Sequence, residues 1–87
     1  MKLFGGNKYN DEQLANQSMT AIEHDPLISD PGALVVTSKN GVLTISGVVR
    51  DQQEKERIEG VVHHALTTMG LQHEQIVNEL RLPQTVR

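Results

Sequence analysis

The chain has 87 residues, with 8 lysines and arginines against 11 aspartates and glutamates, which gives a net charge of −3. Its length allows one small domain with a modest core, and the lack of cysteine excludes disulfides and thiolate metal sites. The acidic balance and the presence of one Phe and one Tyr argue against a nucleic-acid binder.

The first ten residues are small, polar and glycine-bearing, and we expect a loose lead-in fastened to the domain by Phe4 or Tyr9. The alternative is a short membrane or partner anchor, because these aromatics stand near Lys2 and Lys8. No stretch has the length of a membrane-spanning helix, and the start does not resemble a signal peptide. The sequence as written predicts a cytoplasmic protein, whereas a fragment of an exported protein would lie in the periplasm or envelope.

Helix 1 is predicted to begin near Asn10 or Asp11, since Asn10 can cap the first amides and Asp11 suits the positive end of the helix dipole. It should end near His24, because Pro26 disfavours helical geometry at the preceding residue. The residues predicted to face inward are Leu14, Ser18, Ala21 and Ile22. In the following loop, Leu27 and Ile28 are expected to close the edge of the core.

A β-hairpin follows, with strand 1 from about Ala33 and strand 2 over residues 42–49. Asn40-Gly41 is the strongest short-range hairpin signal, because a type I′ turn needs positive φ at both central residues. A two-residue loop there pairs Ser38 with Leu43, Val36 with Ile45 and Leu34 with Gly47. The same register places the apolar residues Leu34, Val36, Leu43 and Ile45 on one face.

Helix 2 should begin after Asp51, which can act as its N-cap, with Glu54 at the spacing of a capping box. Glu54 and the charged residues after it are predicted to be solvated. Gly60 costs about 1 kcal/mol against alanine and could permit a close approach of helix 1 or the sheet. Gly70 is placed to end the helix. The predicted inward residues are Ile58, Val61, Val62, Ala65, Leu66 and Met69.

Residues 76–82 alternate with period two and predict strand 3, with Ile76, Leu80 and Leu82 pointing inward and Asn78 between them. The order is α-β-β-α-β. The crossover through helix 2 makes strands 2 and 3 parallel, so the sheet has three strands and is mixed. Both helices then cover one face of an α+β two-layer sandwich, and the other face stays open. The chain divides into a lead-in (1–10), a single domain (11–82) and a tail (83–87).

Three ordered segments carry a family resemblance. They are Ile22 with Asp25-Pro26-Leu27, then Asn40-Gly41-Val42-Leu43-Thr44-Ile45-Ser46-Gly47-Val48-Val49, and finally Ala65 with Gly70-Leu71 and Ile76-Val77-Asn78-Glu79-Leu80-Arg81-Leu82. This pattern resembles the BON domain, named for bacterial osmotically inducible and nodulation proteins. The resemblance implies the same α-β-β-α-β fold. It also implies a non-catalytic module that contacts phospholipid or membrane-associated proteins in envelope maintenance and osmotic-stress protection.

The histidines and hydroxyls do not form a recognisable catalytic or metal motif. His63 and His64 point about 100° apart on a helix, although His73 could reach one of them. We interpret these three and His24 as surface histidines and expect no metal, cofactor, catalytic residue or small-molecule substrate. Ser46 and Thr44 should lie on the open sheet face, away from any histidine that the pattern places.

Two surfaces are candidates for contact with a partner. One is the open sheet face, with Val35, Val42, Thr44, Ser46 and Val48; the other is the N-terminal arm with Phe4 and Tyr9. Asn40, Gly41, Gly47 and Gly70 are assigned to turns and packing. The alternative to lipid contact is a protein–protein assembly module that uses a strand edge or the open face. A monomer is the expected state of the free domain.

Overall fold

The computed structural model describes residues 9–83. Its elements are α1 (Asp11–Glu23), a 3-10 turn (Pro31–Ala33), β1 (Val35–Lys39), β2 (Val42–Val48), α2 (Gln52–Thr68) and β3 (Gln75–Arg81). This order confirms the predicted α-β-β-α-β arrangement and the α+β class.

The sheet is mixed, in the strand order β1-β2-β3. β1 and β2 are antiparallel, whereas β2 and β3 are parallel because α2 carries the chain back across the sheet. At the hairpin turn Asn40 and Gly41 have φ of 52° and 84°, which is the backbone geometry that the sequence predicted. The register pairs Val36 with Ile45, as predicted.

The core lies between one face of the sheet and both helices. Its side chains come from Leu14, Ser18, Ile22, Ile28, Leu34, Val36, Leu43, Ile45, Val49, Ile58, Val62, Leu66 and Leu80. The hydroxyl of Ser18 is buried, and it donates to the carbonyl of Leu14 at 2.7 Å. Neither helix in the described part of the chain has the length and apolarity that spanning a bilayer requires.

The helix ends follow the predicted signals. Asn10 Oδ1 accepts the N–H of Gln13 at 3.1 Å, so it caps α1. At the C-terminal end of α2, Gly70 has φ of +68°, and the N–H of Leu71 donates to the carbonyl of Leu66 at 2.9 Å. This bond and the positive φ form a Schellman motif, so Gly70 ends the helix in the way that was predicted.

β1 begins two residues later than the sequence predicted. Residues 31–33 instead form the 3-10 turn, in which the N–H of Leu34 donates to the carbonyl of Pro31 at 3.1 Å. This turn also explains Gly47, which the sequence assigned to packing. A Cβ on Gly47 would lie 2.7 Å from the carbonyl oxygen of Ala33, so the glycine admits the chain that leads into β1.

Three apolar residues that were predicted to point inward are exposed: Leu27, Met69 and Leu82. Each stands next to the end of a regular element or in the loop, where the apolar period no longer says which way a side chain faces. The expectation for Gly60 was also wrong. A Cβ there would meet nothing within 4 Å, so no helix or strand among residues 9–83 approaches it.

Candidate functional site

The open sheet face carries the contact residues that the sequence singled out. The register puts the odd-numbered side chains of β1 and β3 and the even-numbered ones of β2 on this side. They are Val35, Thr37, Lys39, Val42, Thr44, Ser46, Val48, Gln75, Val77, Glu79 and Arg81. Of the predicted contact residues, Val35 and Val48 are exposed, and Val42, Thr44 and Ser46 are half-buried.

The exposed apolar side chains concentrate at one end of this face. Val35 is 55% exposed and pairs with Ser46, two residues before Val48, which is 49% exposed. Val48 in turn pairs with Arg81 of β3, and the exposed Leu82 follows directly. The start of β1 and the ends of β2 and β3 therefore place three exposed apolar residues at one end of the sheet, with Val35 and Val48 on the open face and Leu82, by the same alternation, on the other side.

The loop after α1 brings a fourth exposed apolar residue, Leu27, to the same end of the domain. Arg50, two residues beyond β2, donates from Nη2 to the carbonyl oxygen of Leu27 at 3.3 Å. Leu27 is 59% exposed. We call the surface formed by Leu27, Val35, Val48 and Leu82, together with Arg50 and Arg81, the apolar end. It holds four of the five exposed large apolar residues in the described chain; the fifth, Met69, lies at the far end of α2.

The apolar end carries two guanidinium groups. Arg50 Nε lies 3.4 Å from Glu54 Oε2, and the Arg50 side chain is still more than half exposed. Arg81 is exposed and makes no ion pair within residues 9–83. Acidic side chains are also near, since Glu79 lies two residues before Arg81 on the same face. The surface is thus apolar with charges of both signs rather than strongly basic.

Glu54 fixes the geometry of the apolar end. This residue is 4% exposed, which contradicts the prediction that it is solvated. Asp51 Oδ1 accepts the N–H of Glu54 at 2.9 Å, as in a capping box, but the Glu54 carboxylate accepts the N–H groups of Arg50 and Ser29, each at 2.8 Å. It therefore joins the loop before β1 to the start of α2.

The same contacts control the ionisation of Glu54. Burial alone would raise its pKa, but the hydrogen bonds from Arg50 and Ser29 and the charge of Arg50 outweigh it, so the pKa is lowered. Asp25 behaves similarly: burial opposes ionisation, yet the N–H of Leu27 and the guanidinium of Arg57 lower the pKa of its carboxyl. Both groups hold the loop that presents Leu27.

Of the two N-terminal aromatic candidates, Tyr9 is among the described residues. Phe4 lies outside the described residues. Tyr9 packs its ring against Gly41, where an added Cβ would be 2.7 Å from the ring, and its hydroxyl donates to Glu74 at 2.5 Å. That hydrogen bond, with smaller effects of burial and charge, raises the pKa of Tyr9. Tyr9 thus fastens the start of the domain beside the hairpin turn.

A groove of about 720 Å³ runs between α1 and α2, on the side away from the sheet. Its floor includes Ala21, Val61 and Ala65, and an ion pair of Arg57 with Asp25 crosses one end, with Nη2 and Oδ2 at 2.9 Å. The groove is shallow, and its arginine, Arg57, is already paired with Asp25. We see no feature in it that selects a ligand chemistry.

The hydroxyl and imidazole groups do not converge into a catalytic arrangement within residues 9–83. Thr68 Oγ1 and His64 Nε2 are 3.5 Å apart on the exposed side of α2, with no carboxylate bonded to that histidine. Within the same residues, no three side chains of His, Asp or Glu are grouped to hold a metal ion by themselves. Thr44 and Ser46 lie on the open sheet face, where the sequence placed them.

Comparison with known proteins adds one family match. A family model of the BON domain matches residues 10–66, about two thirds of the chain. The chain belongs to the BON family. No curated protein matches it. BON domains form a family of non-catalytic binding modules associated with phospholipid and osmotic stress.

In this BON domain, sequence reasoning missed Leu27, Leu82, Arg50 and Arg81 as members of a surface. Leu82 stands directly before Pro83, where a strand must end, and this signal could have indicated that it lies beyond the sheet. The burial of Glu54 also had a signal in the sequence. It lies four residues before Ile58, on the same helix stripe as the core residues, and a charge in that position needs a partner.

Proposed function

We propose that this BON domain is a non-catalytic binding module that contacts phospholipid membranes through its apolar end and the adjoining open sheet face. The observation that supports the proposal is the clustering of Leu27, Val35, Val48 and Leu82 at one end of the domain. Scattered exposed apolar residues are normal, but four that share an end with two arginines form a candidate interface.

The chemistry of the apolar end suits the boundary between lipid head groups and acyl chains. Valine and leucine gain free energy when they leave water, about 1.5–3 kcal/mol for complete burial of one side chain. Arginine can keep its guanidinium at phosphate depth, where it donates planar, paired hydrogen bonds. The four apolar side chains are only 43–59% exposed in the free domain, so each gains only part of that energy, and binding should be weak and reversible.

The overall charge of the domain limits the role of electrostatics. A net charge of −3 gives no long-range attraction to anionic lipid, so apolar contact must supply most of the binding free energy. We therefore expect the domain to bind zwitterionic and anionic vesicles with similar strength and to stay bound at high salt. In the cell this contact would serve envelope maintenance under osmotic stress, a role that rests on the family.

Vesicle flotation tests the proposal. The protein is mixed with phosphatidylcholine vesicles, with and without phosphatidylglycerol, and the floated fraction is measured. We expect V35T/V48T and L82Q to reduce flotation several-fold, because they remove apolar surface and change no charge. M69Q is the matched control, since Met69 is equally exposed but lies at the other end of α2.

Two results would count against the proposal. A wild-type protein that does not float with either lipid would refute membrane contact, and partner isolation would follow. Flotation that V35T/V48T, L82Q and M69Q all leave unchanged would show that another surface touches the lipid, such as the N-terminal arm with Phe4.

The competing proposal, a protein–protein assembly module, has less support at the edge of β3. Asn78 Oδ1 accepts the N–H of Leu80 at 3.1 Å, and Asn78 Nδ2 donates to the carbonyl of Lys55 and to Glu59. The Asn78 side chain therefore already accepts the main-chain N–H of Leu80, which an added strand would need for pairing. Light scattering after size-exclusion chromatography checks this reading, because assembly through strand edges predicts dimers at high protein concentration.

A further inference from the structure

A second cleft lies between α2 and β3, near the hairpin turn and away from the apolar end. It measures about 650 Å³ and is lined by Glu56, Glu59, Gly60, His63, His73, Glu74, Gln75 and Ile76. The two histidines come from different elements: His63 from α2, and His73 from the connection between α2 and β3. Only the fold brings them together.

The two imidazole rings are in direct contact. Their centroids are 6.2 Å apart, and the ring planes stand at 86° to each other. His63 is exposed on its helix and makes no hydrogen bond within residues 9–83, so its ring can rotate. His73 is half-buried.

A hydrogen bond sets the orientation of His73. Its Nδ1 lies 3.2 Å from the carbonyl oxygen of Leu71. A carbonyl only accepts, so Nδ1 carries the proton and Nε2 of the neutral ring presents a lone pair. Histidines that ligate metals usually donate their second N–H to a carbonyl or carboxylate in this way, which fixes the tautomer.

The charge in the cleft favours a cation. Glu56, Glu59 and Glu74 line it, and the described lining includes no lysine or arginine. Each carboxylate accepts a hydrogen bond from a neutral donor: Gln52 Nε2 at 3.1 Å, Asn78 Nδ2 at 3.0 Å and the Tyr9 hydroxyl at 2.5 Å. None of the three is ion-paired within residues 9–83.

We propose that His63 and His73 bind one divalent late first-row transition ion, such as Zn²⁺, through one ring nitrogen each, with water completing the coordination. Imidazole nitrogen suits zinc, copper and nickel, whereas Mg²⁺ and Ca²⁺ prefer oxygen ligands. An ion held by two protein ligands exchanges rapidly with ions in solution. The surrounding carboxylates attract the ion through their charge and do not coordinate it. Within residues 9–83 no third His, Asp or Glu side chain is placed to complete the site.

The ring separation is close to what one ion requires. With Zn–N bonds of about 2.0–2.1 Å and about 1.1 Å from nitrogen to ring centroid, two imidazoles at the tetrahedral angle have centroids about 5.2 Å apart. The observed 6.2 Å exceeds this by about 1 Å. We assign the closing of that gap to rotation of the exposed His63 side chain on binding.

A zinc titration of the full chain, followed by NMR of ¹⁵N-labelled histidine rings, tests the proposal. We expect saturable shifts of the His63 and His73 ring nitrogens, and about tenfold or greater loss of zinc affinity in H63Q and in H73Q. H64Q and H24Q are the matched controls, because these histidines are exposed on or beside the helices and do not line the cleft.

Several outcomes would overturn the proposal. Shifts of all four histidines with similar affinity would show non-specific surface binding. Equal zinc affinity in wild type and H63Q would exclude the paired site, and H63Q decides this even if H73Q disturbs the loop, because His63 is exposed. Shifts produced equally by Mg²⁺ would indicate attraction to the carboxylates alone.

Discussion

The carboxylate of Glu54 accepts the main-chain N–H of Ser29, 25 residues earlier in the chain, at 2.8 Å. The Ser29 hydroxyl donates to the same Glu54 oxygen at 3.1 Å. One buried side chain thus holds the loop that carries Leu27 against the start of α2. The apolar end depends on this connection, together with the ion pair of Asp25 with Arg57 and the hydrogen bond from Arg50 to Leu27.

Glu54→Gln should destabilise the domain by about 2 kcal/mol, because an amide replaces a charged acceptor and sets its own NH₂ donor among N–H groups. Urea unfolding followed by circular dichroism measures the change. Glu56→Gln is the control, since Glu56 is exposed on the same helix and, within residues 9–83, its side chain bonds only to Gln52. Equal stability of the two variants would contradict the structural role of Glu54.

The stability of the domain should fall in acid through Glu54 and Asp25. Both pKa values are lowered by folding, so each carboxylate stabilises the native state when ionised. That contribution is complete above their unfolded-state values, 4.5 for Glu54 and 3.8 for Asp25, and disappears as the pH falls through the lower folded-state values. Unfolding curves from pH 7 to pH 3 should show a decline that is shallower in Glu54→Gln, and an unchanged slope would refute this assignment.

Asp11→Ala should cost about 2 kcal/mol of unfolding free energy, because hydrogen bonds to a charged acceptor are stronger than neutral ones. Asp11 accepts the Ser38 hydroxyl at 2.7 Å and the N–H groups of Asn40 and Gly41 at 2.8 and 2.9 Å. It therefore links the first turn of α1 to the hairpin turn. Glu12→Gln separates this effect from the helix dipole, and we expect that neighbouring change to cost less than about 1 kcal/mol.

Gly60→Ala should stabilise the domain by about 0.5–1 kcal/mol, because alanine has the higher helix propensity and its methyl group would meet open space. Gly41→Ala should do the reverse, since φ is +84° and the new Cβ would collide with the Tyr9 ring. Thermal unfolding of the two variants gives the comparison. A destabilised Gly60→Ala would mean that a contact outside the described residues uses the gap.

The elements that the sequence predicted are those with local signals. Asn40-Gly41 fixes the hairpin register because the turn geometry and the strand alternation act on the same few residues. Asn10, Asp51 and Gly70 mark helix ends for the same reason. The misassigned residues Leu27, Met69 and Leu82 lie at or beyond element ends, where apolar periodicity no longer determines which way a side chain faces.

The candidate surfaces depend on contacts between residues far apart in the chain, and the apolar periodicity of a sequence does not specify such contacts. The apolar end requires Val48 to pair with Arg81, and no turn sets the β2–β3 register because α2 lies between the two strands. Likewise, the contact of His63 with His73 depends on how α2 ends and on how the chain turns into β3. The sequence predicted an open sheet face, but not which of its ends gathers exposed apolar side chains.

The parallel pairing of β2 with β3 has a consequence for how the domain is made. β2 is the central strand, and every one of its residues has a partner on β3, which comes last in the domain. During synthesis one side of β2 therefore stays unpaired until residue 81 has left the ribosome. An unpaired strand edge beside uncovered apolar residues is a template for association with other chains. The period between translation of the hairpin and translation of β3 is thus when this protein is most exposed to aggregation, and rare codons in that interval would lengthen it.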